Sequence, residues 1–91
     1  MIRSFRSRAL KRLWNDNDPK GVRADQIARV HRVLNQLDVA LRPEDLNLPG
    51  YCFHSLHGRP PRYSVTITRT WRITFAWDGE DAAPVDYEDY H

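Results

Sequence analysis

The sequence predicts an α+β fold in which two N-terminal helices pack on one face of a small antiparallel-rich sheet. Three observations support this class: apolar residues at helical spacing before residue 42, alternation of apolar and polar residues after residue 62, and a breaker-rich stretch at 42–50. Helices grouped ahead of strands are typical of α+β architecture. The expected order is β-α-α-β-β-β, in one domain that covers residues 1–91.

Apolar spacing defines the two predicted helices. Residues 2–5 favour a short opening strand, although Ile2 and Phe5 do not alternate cleanly. A first helix is predicted from Ser7 onward, to an end near residues 15–18 ahead of Pro19, and its apolar residues are Leu10, Leu13 and Trp14. A second is predicted over 24–41, and its stripe consists of Ile27, Val30, Val33, Leu34, Leu37 and Leu41. Off that stripe, Arg29, His31, Arg32 and Gln36 indicate a basic outer face.

The second half of the chain predicts strands. They are expected around 51–56, 63–68, 71–77 and 83–88, with a loop at 57–62 and a turn at 78–81. In the two central strands the apolar side comprises Tyr63, Val65, Ile67, Trp71, Ile73, Phe75 and Trp77. The opposite side is polar and carries Arg72 and Thr74. We expect the helices to cover the apolar side and to leave the polar side for function.

The bulk composition is that of an ordinary globular domain. Hydrophobic residues make up 41% of the 91 and charged residues 29%, and no apolar run is long enough for a membrane helix. The basic start MIRSFRSRALKRLW lacks the apolar stretch and cleavage site of a secretory signal. A single cysteine, Cys52, excludes an internal disulfide. The expected location is therefore the cytoplasm, with no membrane partner.

The net charge of +2 conceals a division along the chain. Residues 1–77 hold all 14 Lys and Arg but only 6 acids, a net charge of +8, whereas residues 78–91 hold 6 acids and no Lys or Arg. Twelve of the 14 basic residues are arginine, whose planar fork suits phosphate. The basic part is expected to bind a polyanion, and the alternative is that its arginines only solvate the helix surfaces.

Five segments, in order, resemble the HigB-type toxins of the RelE/ParE superfamily. They are MIRSF at 1–5, PEDLNLPG at 43–50, FHSLHG at 53–58, WRITF at 71–75 and VDYEDYH at 85–91. The resemblance implies a RelE-like β-α-α-β-β-β fold and the toxin of a type II toxin-antitoxin pair. It implies a cytoplasmic ribonuclease that cuts messenger RNA in the decoding site of a translating ribosome without a metal or another cofactor.

The resemblance also implies site residues and partners. The implied catalytic residues are His54, Arg72, Asp89, Tyr90 and His91. The implied partners are a HigA-type helix-turn-helix antitoxin, the 70S ribosome with messenger RNA and 16S rRNA, and operator DNA reached through the antitoxin. The chain departs from the family pattern in having His57 for a common lysine, Thr70 for a common asparagine, and Thr68, followed by Arg69, where some members carry a basic residue.

Cutting RNA at its own 2′-hydroxyl needs a base, an acid and positive charge at the phosphate. Imidazole can serve in either proton role, so His54 and His91 are the predicted pair, without an assignment between them. Asp89 is expected to orient a histidine, Arg72 to bind the phosphate, and Tyr90 to stack on a base or donate a hydrogen bond. Further phosphate contacts are predicted from His57, Arg59, Arg62 and Arg69. His57 replaces a lysine only when protonated, which predicts a more acidic optimum.

Other interpretations compete with catalysis. The superfamily includes inhibitors that bind DNA gyrase, and a plain RNA-binding module would need only phosphate contacts that survive His91→Ala. Cys52, His54, His57 and His91 could ligate zinc, but their spacing matches no standard zinc finger. Arg72 could instead form an ion pair with Asp86 or Glu88 on a neighbouring strand.

Overall fold

The computed structural model describes residues 1–90, so the predictions made for His91 lie outside the described residues. Its helices are α1 (Arg8–Asp16) and α2 (Ile27–Val39), and its strands are β1 (His54–Leu56), β2 (Arg62–Thr66), β3 (Trp71–Asp78) and β4 (Asp81–Asp89). Two short 3-10 turns, Ala24–Gln26 and Pro43–Leu46, precede α2 and follow it.

Helix α1 begins and ends where its sequence supplies caps. The Ser7 hydroxyl accepts a hydrogen bond from the backbone N–H of Leu10 at 3.2 Å, which satisfies one of the free donors of the first turn. Asn17 adopts a left-handed conformation, with a φ of 53°, and ends the helix. Leu10 and Leu13 are buried, so two of the apolar residues whose spacing predicted α1 also pack it against the core.

Helix α2 is shorter than predicted. It ends at Val39, and Ala40 has an extended backbone with a ψ of 139°. Four residues of the predicted stripe, Val30, Val33, Leu34 and Leu37, are buried. The prediction for Leu41 was wrong, because that side chain lies beyond the helix and is 85% exposed. Helical periodicity assigns a face only as far as the helix continues.

The four strands form one antiparallel sheet in the order β1-β2-β3-β4. The predicted α+β class is confirmed, and a strand forms in each of the four regions predicted after residue 50, but the opening residues do not form a strand of this sheet. The opening residues make only two isolated parallel bridges with β4, at Ile2–Ala82 and Phe5–Val85. Backbone hydrogen bonds from this segment cover part of the outer edge of β4, and an edge covered in this way is closed to another chain.

The core lies between the helices and one face of the sheet. Its fully buried members include Leu10 and Leu34 from the helices and Ile73, Phe75 and Val85 from the sheet. Trp71 and Trp77, predicted as core residues, are half-buried and pack against the core from its border. Within residues 1–90 no helix lies on the other face of the sheet, where Arg72 and Glu88 are partly exposed, whereas Ser64 and Thr74 are buried.

We expect Gly21→Ala to destabilise the packing of α1 by about 1 to 3 kcal/mol, as overpacking generally does. A Cβ at Gly21 would lie 2.5 Å from the Cβ of Ala9 in α1. The measurement is urea denaturation of the wild type and of the single variants Gly21→Ala and Ala9→Gly. The exchange Ala9→Gly with Gly21→Ala should recover part of the loss, and simple additivity in the double variant would contradict this account.

Candidate active site and nucleic-acid interface

Strand register places the polar residues of the open face in two rows. One row crosses all four strands: His54 pairs with Ser64, Ser64 with Thr74, and Thr74 with Asp86. The next row joins Thr66, Arg72 and Glu88. Since residues paired across strands share a face, these side chains all belong to the open face, although Ser64 and Thr74 are themselves buried.

Three side chains form a closed cluster in the middle of that surface. Arg62 Nη2 donates to Thr74 Oγ1 and to Glu88 Oε2, each at 2.9 Å. The Thr74 hydroxyl also donates to the Glu88 carboxylate. Thr74 is fully buried although it faces outward, because these two longer side chains lie on it. Arg62, a predicted phosphate contact, therefore has its charge matched by an acid within the molecule.

Arg72 is left without a carboxylate among the residues that the structure describes. Glu88 lies directly opposite it in the register but pairs with Arg62 instead. The Arg72 guanidinium donates a 3.3 Å hydrogen bond to the Thr68 carbonyl oxygen and lies 5.8 Å from the centre of the Tyr90 ring. Within residues 1–90 the alternative ion pair with Asp86 or Glu88 does not form. The Arg72 charge is thus available to an anion.

The end of β4 separates two of the predicted catalytic residues. The Tyr90 N–H donates to the Thr70 carbonyl oxygen at 2.8 Å, which extends the pairing of β3 and β4 past Asp89. Tyr90 shares the open face with Arg72 and is 46% exposed. Asp89 is paired with Trp71 on the helix side, where it lines an open depression with Arg23 and other residues. Tyr90 and Arg72 come together, whereas Asp89 lies on the other face of the sheet.

His54 stands at the far side of the open face from β4. It is the first residue of β1 and is exposed. Two strand spacings separate it from β3, a lateral distance of about 10 Å from the strand that carries Arg72. The long arginine side chain and the imidazole can approach a group that lies between them. His54 and Arg72 therefore flank a common region of the face without contacting each other.

The segment that leads to His54 is held by an arginine whose role the sequence did not indicate. Arg29 was predicted on the exposed face of α2, but its guanidinium donates to the carbonyl oxygens of Gly50 at 2.7 Å and Thr66 at 2.9 Å. It also lies 5.2 Å from the centre of the buried Tyr51 ring. This contact fastens the approach to β1 onto the end of β2. Helical spacing predicted only that Arg29 lies off the apolar stripe of α2, and it did not predict that the side chain binds backbone oxygens.

The remaining predicted phosphate contacts lie at opposite ends of the sheet. His57 and Arg59 belong to the loop between β1 and β2, and Arg69 lies in the turn between β2 and β3. All three are exposed, and none forms an ion pair within the described part of the chain. Between these ends, the five residues of β2 span about 17 Å. The cations therefore follow the length of the strands, as an extended single strand of nucleic acid would require.

A buried glutamine connects the helices to the turn beside Arg72. Gln26 is 2% exposed; its Nε2 donates to Thr68 Oγ1 at 3.3 Å, and its Oε1 accepts from the Tyr87 hydroxyl. The backbone oxygen of the same Thr68 accepts the hydrogen bond from Arg72. No sequence pattern indicated this network, since a lone polar residue at the start of α2 is ordinary.

The described residues offer no evident metal site. Within residues 1–90, no group of three or more histidine, cysteine or acidic side chains is arranged to hold a metal ion. Cys52, His54 and His57, three of the four residues weighed as zinc ligands, therefore do not form such a group. None of the helices in this part of the chain is both long enough and apolar enough to span a membrane.

We expect the free energy of unfolding to decline less steeply at alkaline pH in Tyr87→Phe than in the wild type. Burial raises the pKa of the Tyr87 hydroxyl above its ordinary value of 10.0. The folded protein then keeps this proton to higher pH than the unfolded chain does. Stability from the group is complete below pH 10.0 and is lost as pH rises through the folded pKa. Urea denaturation across this window should show a steeper decline for the wild type, and parallel curves would contradict the assignment.

Two comparisons with known proteins agree with the family resemblance drawn from the sequence motifs. The family model described as the RelE-like toxin HigB of type II toxin-antitoxin systems matches residues 3–91. The chain is also 38% identical over 92 residues to "Endoribonuclease HigB" of Proteus vulgaris, and the match covers all of both chains. A match of this extent spans both helices, all four strands and the terminal segment. The chain therefore belongs to the HigB family of RelE-like toxins of type II toxin-antitoxin systems.

Proposed function

We propose that this toxin is an endoribonuclease that cuts messenger RNA in the decoding site of the ribosome. The 2′-hydroxyl of the messenger attacks its own 3′-phosphate and leaves a 2′,3′-cyclic phosphate and a free 5′-hydroxyl. The activity is supported by the full-length similarity to a protein named as an endoribonuclease. The dependence on the ribosome, and the place of cutting, rest on the resemblance of the terminal and strand motifs to the family.

One observation carries the proposal: among residues 1–90, Arg72 presents a guanidinium without a carboxylate partner on an open face, beside an exposed aromatic ring. A buried or paired arginine stabilises the fold, whereas an unpaired one beside Tyr90 suits a phosphate next to an unstacked base. Positive charge placed at the phosphate stabilises the additional negative charge of the pentacoordinate transition state.

The proposed roles follow the positions of the side chains. Arg72 binds the scissile phosphate, and Tyr90 stacks on an adjacent base. His54 exchanges a proton with the reacting oxygens from the β1 side, and His91 supplies the second proton carrier. Asp89 lies on the helix side of the sheet, so its proposed role is to orient the terminal histidine and not to contact the phosphate.

The exposed cations extend the proposed RNA site along the strands. His57 and Arg59 contact the backbone at one end of the sheet and Arg69 at the other, with Arg72 between them. Arg62 contributes less than the others, because Glu88 already matches its charge. A messenger held in this way lies extended, with its bases open to the decoding site.

The proposed partners are those of a ribosome-dependent toxin. A cognate antitoxin follows from membership of a toxin-antitoxin family. We propose that it is a HigA-type helix-turn-helix protein, which brings the toxin to operator DNA. The 70S ribosome supplies the messenger and 16S rRNA, in the cytoplasm. No metal ion or cofactor is required by the proposed chemistry.

Primer extension on ribosomes programmed with a defined messenger tests this function. Wild-type protein should cut at the codon in the decoding site, in the presence of EDTA as in its absence, and the product should carry a cyclic phosphate. Arg72→Ala should reduce the cutting rate by about 100-fold or more, the usual cost of losing one transition-state donor. His54→Ala and His91→Ala should also cut poorly, since each removes a proton carrier.

Arg32→Ala is the matched control, because Arg32 is an exposed arginine of α2. It should cut as the wild type does, and circular dichroism should show that all variants are folded. If the wild type binds ribosomes without cutting, the protein is a passive ribosome-binding module. If it inhibits DNA gyrase instead, it belongs with the gyrase poisons, and either result refutes the proposal.

We expect Glu88→Gln to tighten RNA binding. The substitution keeps a hydrogen-bond acceptor for Arg62 and Thr74 but removes the negative charge from the middle of the open face. With Arg62 free to contact a phosphate, the slope of the logarithm of the binding constant for single-stranded RNA against the logarithm of salt concentration should become steeper by about 0.7. Fluorescence anisotropy at several salt concentrations measures this, with Glu80→Gln as a control outside the cluster. Equal salt dependence in the two variants would contradict the account.

A further inference from the structure

The turn between β2 and β3, residues 67–70, contacts both Arg72 and Tyr90. The carbonyl oxygen of Thr68 accepts a hydrogen bond from the Arg72 guanidinium at 3.3 Å. The carbonyl oxygen of Thr70 accepts one from the Tyr90 N–H at 2.8 Å. A displacement of this turn would therefore move both of the groups that hold the RNA in the proposed site.

The Arg72 side chain has few contacts that fix its position. Among residues 1–90, the carbonyl oxygen of Thr68 is the only hydrogen-bond acceptor of its guanidinium, and the Tyr90 ring lies 5.8 Å away. Arginine has several rotatable bonds, and ordering them costs entropy that such contacts must offset. A catalytic group works only when it is held within about 0.5 Å of its productive position. The position of Arg72 therefore depends on the position of the turn.

Gln26 holds this turn from the helix side of the sheet. Its side chain is 2% exposed, and its Nε2 donates to the hydroxyl of Thr68 at 3.3 Å. Its Oε1 accepts from the Tyr87 hydroxyl. The Tyr87 ring is stacked on that of Trp71, the first residue of β3, with the ring centres 4.4 Å apart. The glutamine therefore connects the turn to β4 at the point where β3 begins.

The hydrogen bonds of Gln26 form a complete buried network. Within residues 1–90, no buried side-chain nitrogen or oxygen lacks a hydrogen-bond partner. Replacing all partners of such a network by apolar groups of similar shape is often nearly neutral for stability. A complete network does, however, specify one arrangement of the groups that it joins. Gln26 therefore determines where the turn lies more than it determines how stable the fold is.

We propose that Gln26 and the Thr68 hydroxyl are positioning residues for the cutting of RNA, which act through Arg72 without contacting the RNA. This inference deepens the proposed function and rests on it for the reaction whose rate is measured. The network fixes the carbonyl oxygen of Thr68, and that oxygen orients the guanidinium. Without the network, the transition state loses a cation held in place before the reaction begins.

Two substitutions at Thr68 isolate the hydroxyl. Thr68→Val keeps the backbone carbonyl and nearly the same shape but removes the hydrogen bond to Gln26, whereas Thr68→Ser keeps the hydroxyl. On saturating ribosomes, Thr68→Val should cut about 10- to 100-fold more slowly, because a misplacement of about 1 Å can cost about 100-fold. The ribosome concentration that gives the half-maximal rate should stay at the wild-type value, and Thr68→Ser should recover most of the rate.

A double-mutant cycle separates positioning from a general effect on the protein. Thr68→Val should slow cutting by a much smaller factor in the Arg72→Ala background than in the wild type. Gln36→Met is the matched control, because Gln36 also accepts a hydrogen bond from a tyrosine hydroxyl, about 15 Å further along the helix axis. Its effect should be the same in both backgrounds. Equal slowing by Thr68→Val in the two backgrounds would overturn the proposal.

A further variant guards against damage to the fold. Thr68→Val leaves the buried amide of Gln26 without its acceptor, which lowers stability. Gln26→Met combined with Thr68→Val and Tyr87→Phe removes every polar group of the network and leaves none unpaired. This triple variant should unfold near the wild-type temperature and cut as slowly as Thr68→Val. A stable triple variant that cuts at the wild-type rate would also overturn the proposal.

A measurement on the free protein keeps this proposal distinct from the proposed function. NMR relaxation of the Arg72 Nε–H group and hydrogen exchange of the Tyr90 N–H report the mobility of both groups without any cutting. Both should be more mobile in Thr68→Val than in the wild type or in Thr68→Ser. If the wild type cuts and Thr68→Val matches it in rate and mobility, the positioning inference fails and the endonuclease stands. If the wild type does not cut but Thr68→Val mobilises both groups, the endonuclease fails and the positioning of Arg72 stands.

Discussion

The pairing of β3 with β4 is the interaction on which the rest of the structure depends. Its hydrogen bonds run from the turn at 78–81 to Trp71 and Asp89, and the bond between Tyr90 and Thr70 extends them by one more residue. The helix side of this pair supplies Ile73, Phe75 and Val85 to the core, and its open side presents Arg72 and Glu88. Because side chains alternate along a strand, one set of backbone bonds determines both surfaces.

Of the two arginines on the open face, the one that pairs with Glu88 has its charge neutralised, and the other keeps an unpaired charge. Glu88 is closest in register to Arg72, yet it forms its ion pair with Arg62 and a hydrogen bond with Thr74. The cluster leaves the Arg72 guanidinium beside the ring of Tyr90. The part-buried pair of Glu88 with Arg62 neutralises one positive charge in the middle of the open face and leaves that of Arg72 in place. That distribution suits the phosphate site proposed at Arg72 better than a uniformly basic surface would.

Polar residues from α2 and the turn before it position the loops that carry the site. Gln26 binds the side chain of Thr68, and Arg29 binds the backbone oxygens of Gly50 and Thr66. One contact fixes the turn that leads to Arg72, and the other fixes the approach to His54. Polar groups enclosed by structure are costly unless they are hydrogen-bonded, so each of these contacts also specifies one arrangement of its loop. The helices therefore support the open face from behind without contributing residues to it.

The sequence by itself determined the fold class, the helical spacing of α1 from Ser7 onward and the alternation that assigns Arg72 to the polar side of β3. These features follow from the periods of helix and strand, which depend on neighbours along the chain. Only the tertiary structure decided that Glu88 pairs with Arg62 and that Arg29 binds backbone oxygens. Such contacts join residues far apart in sequence, and they depend on strand register and side-chain reach, which no local period encodes.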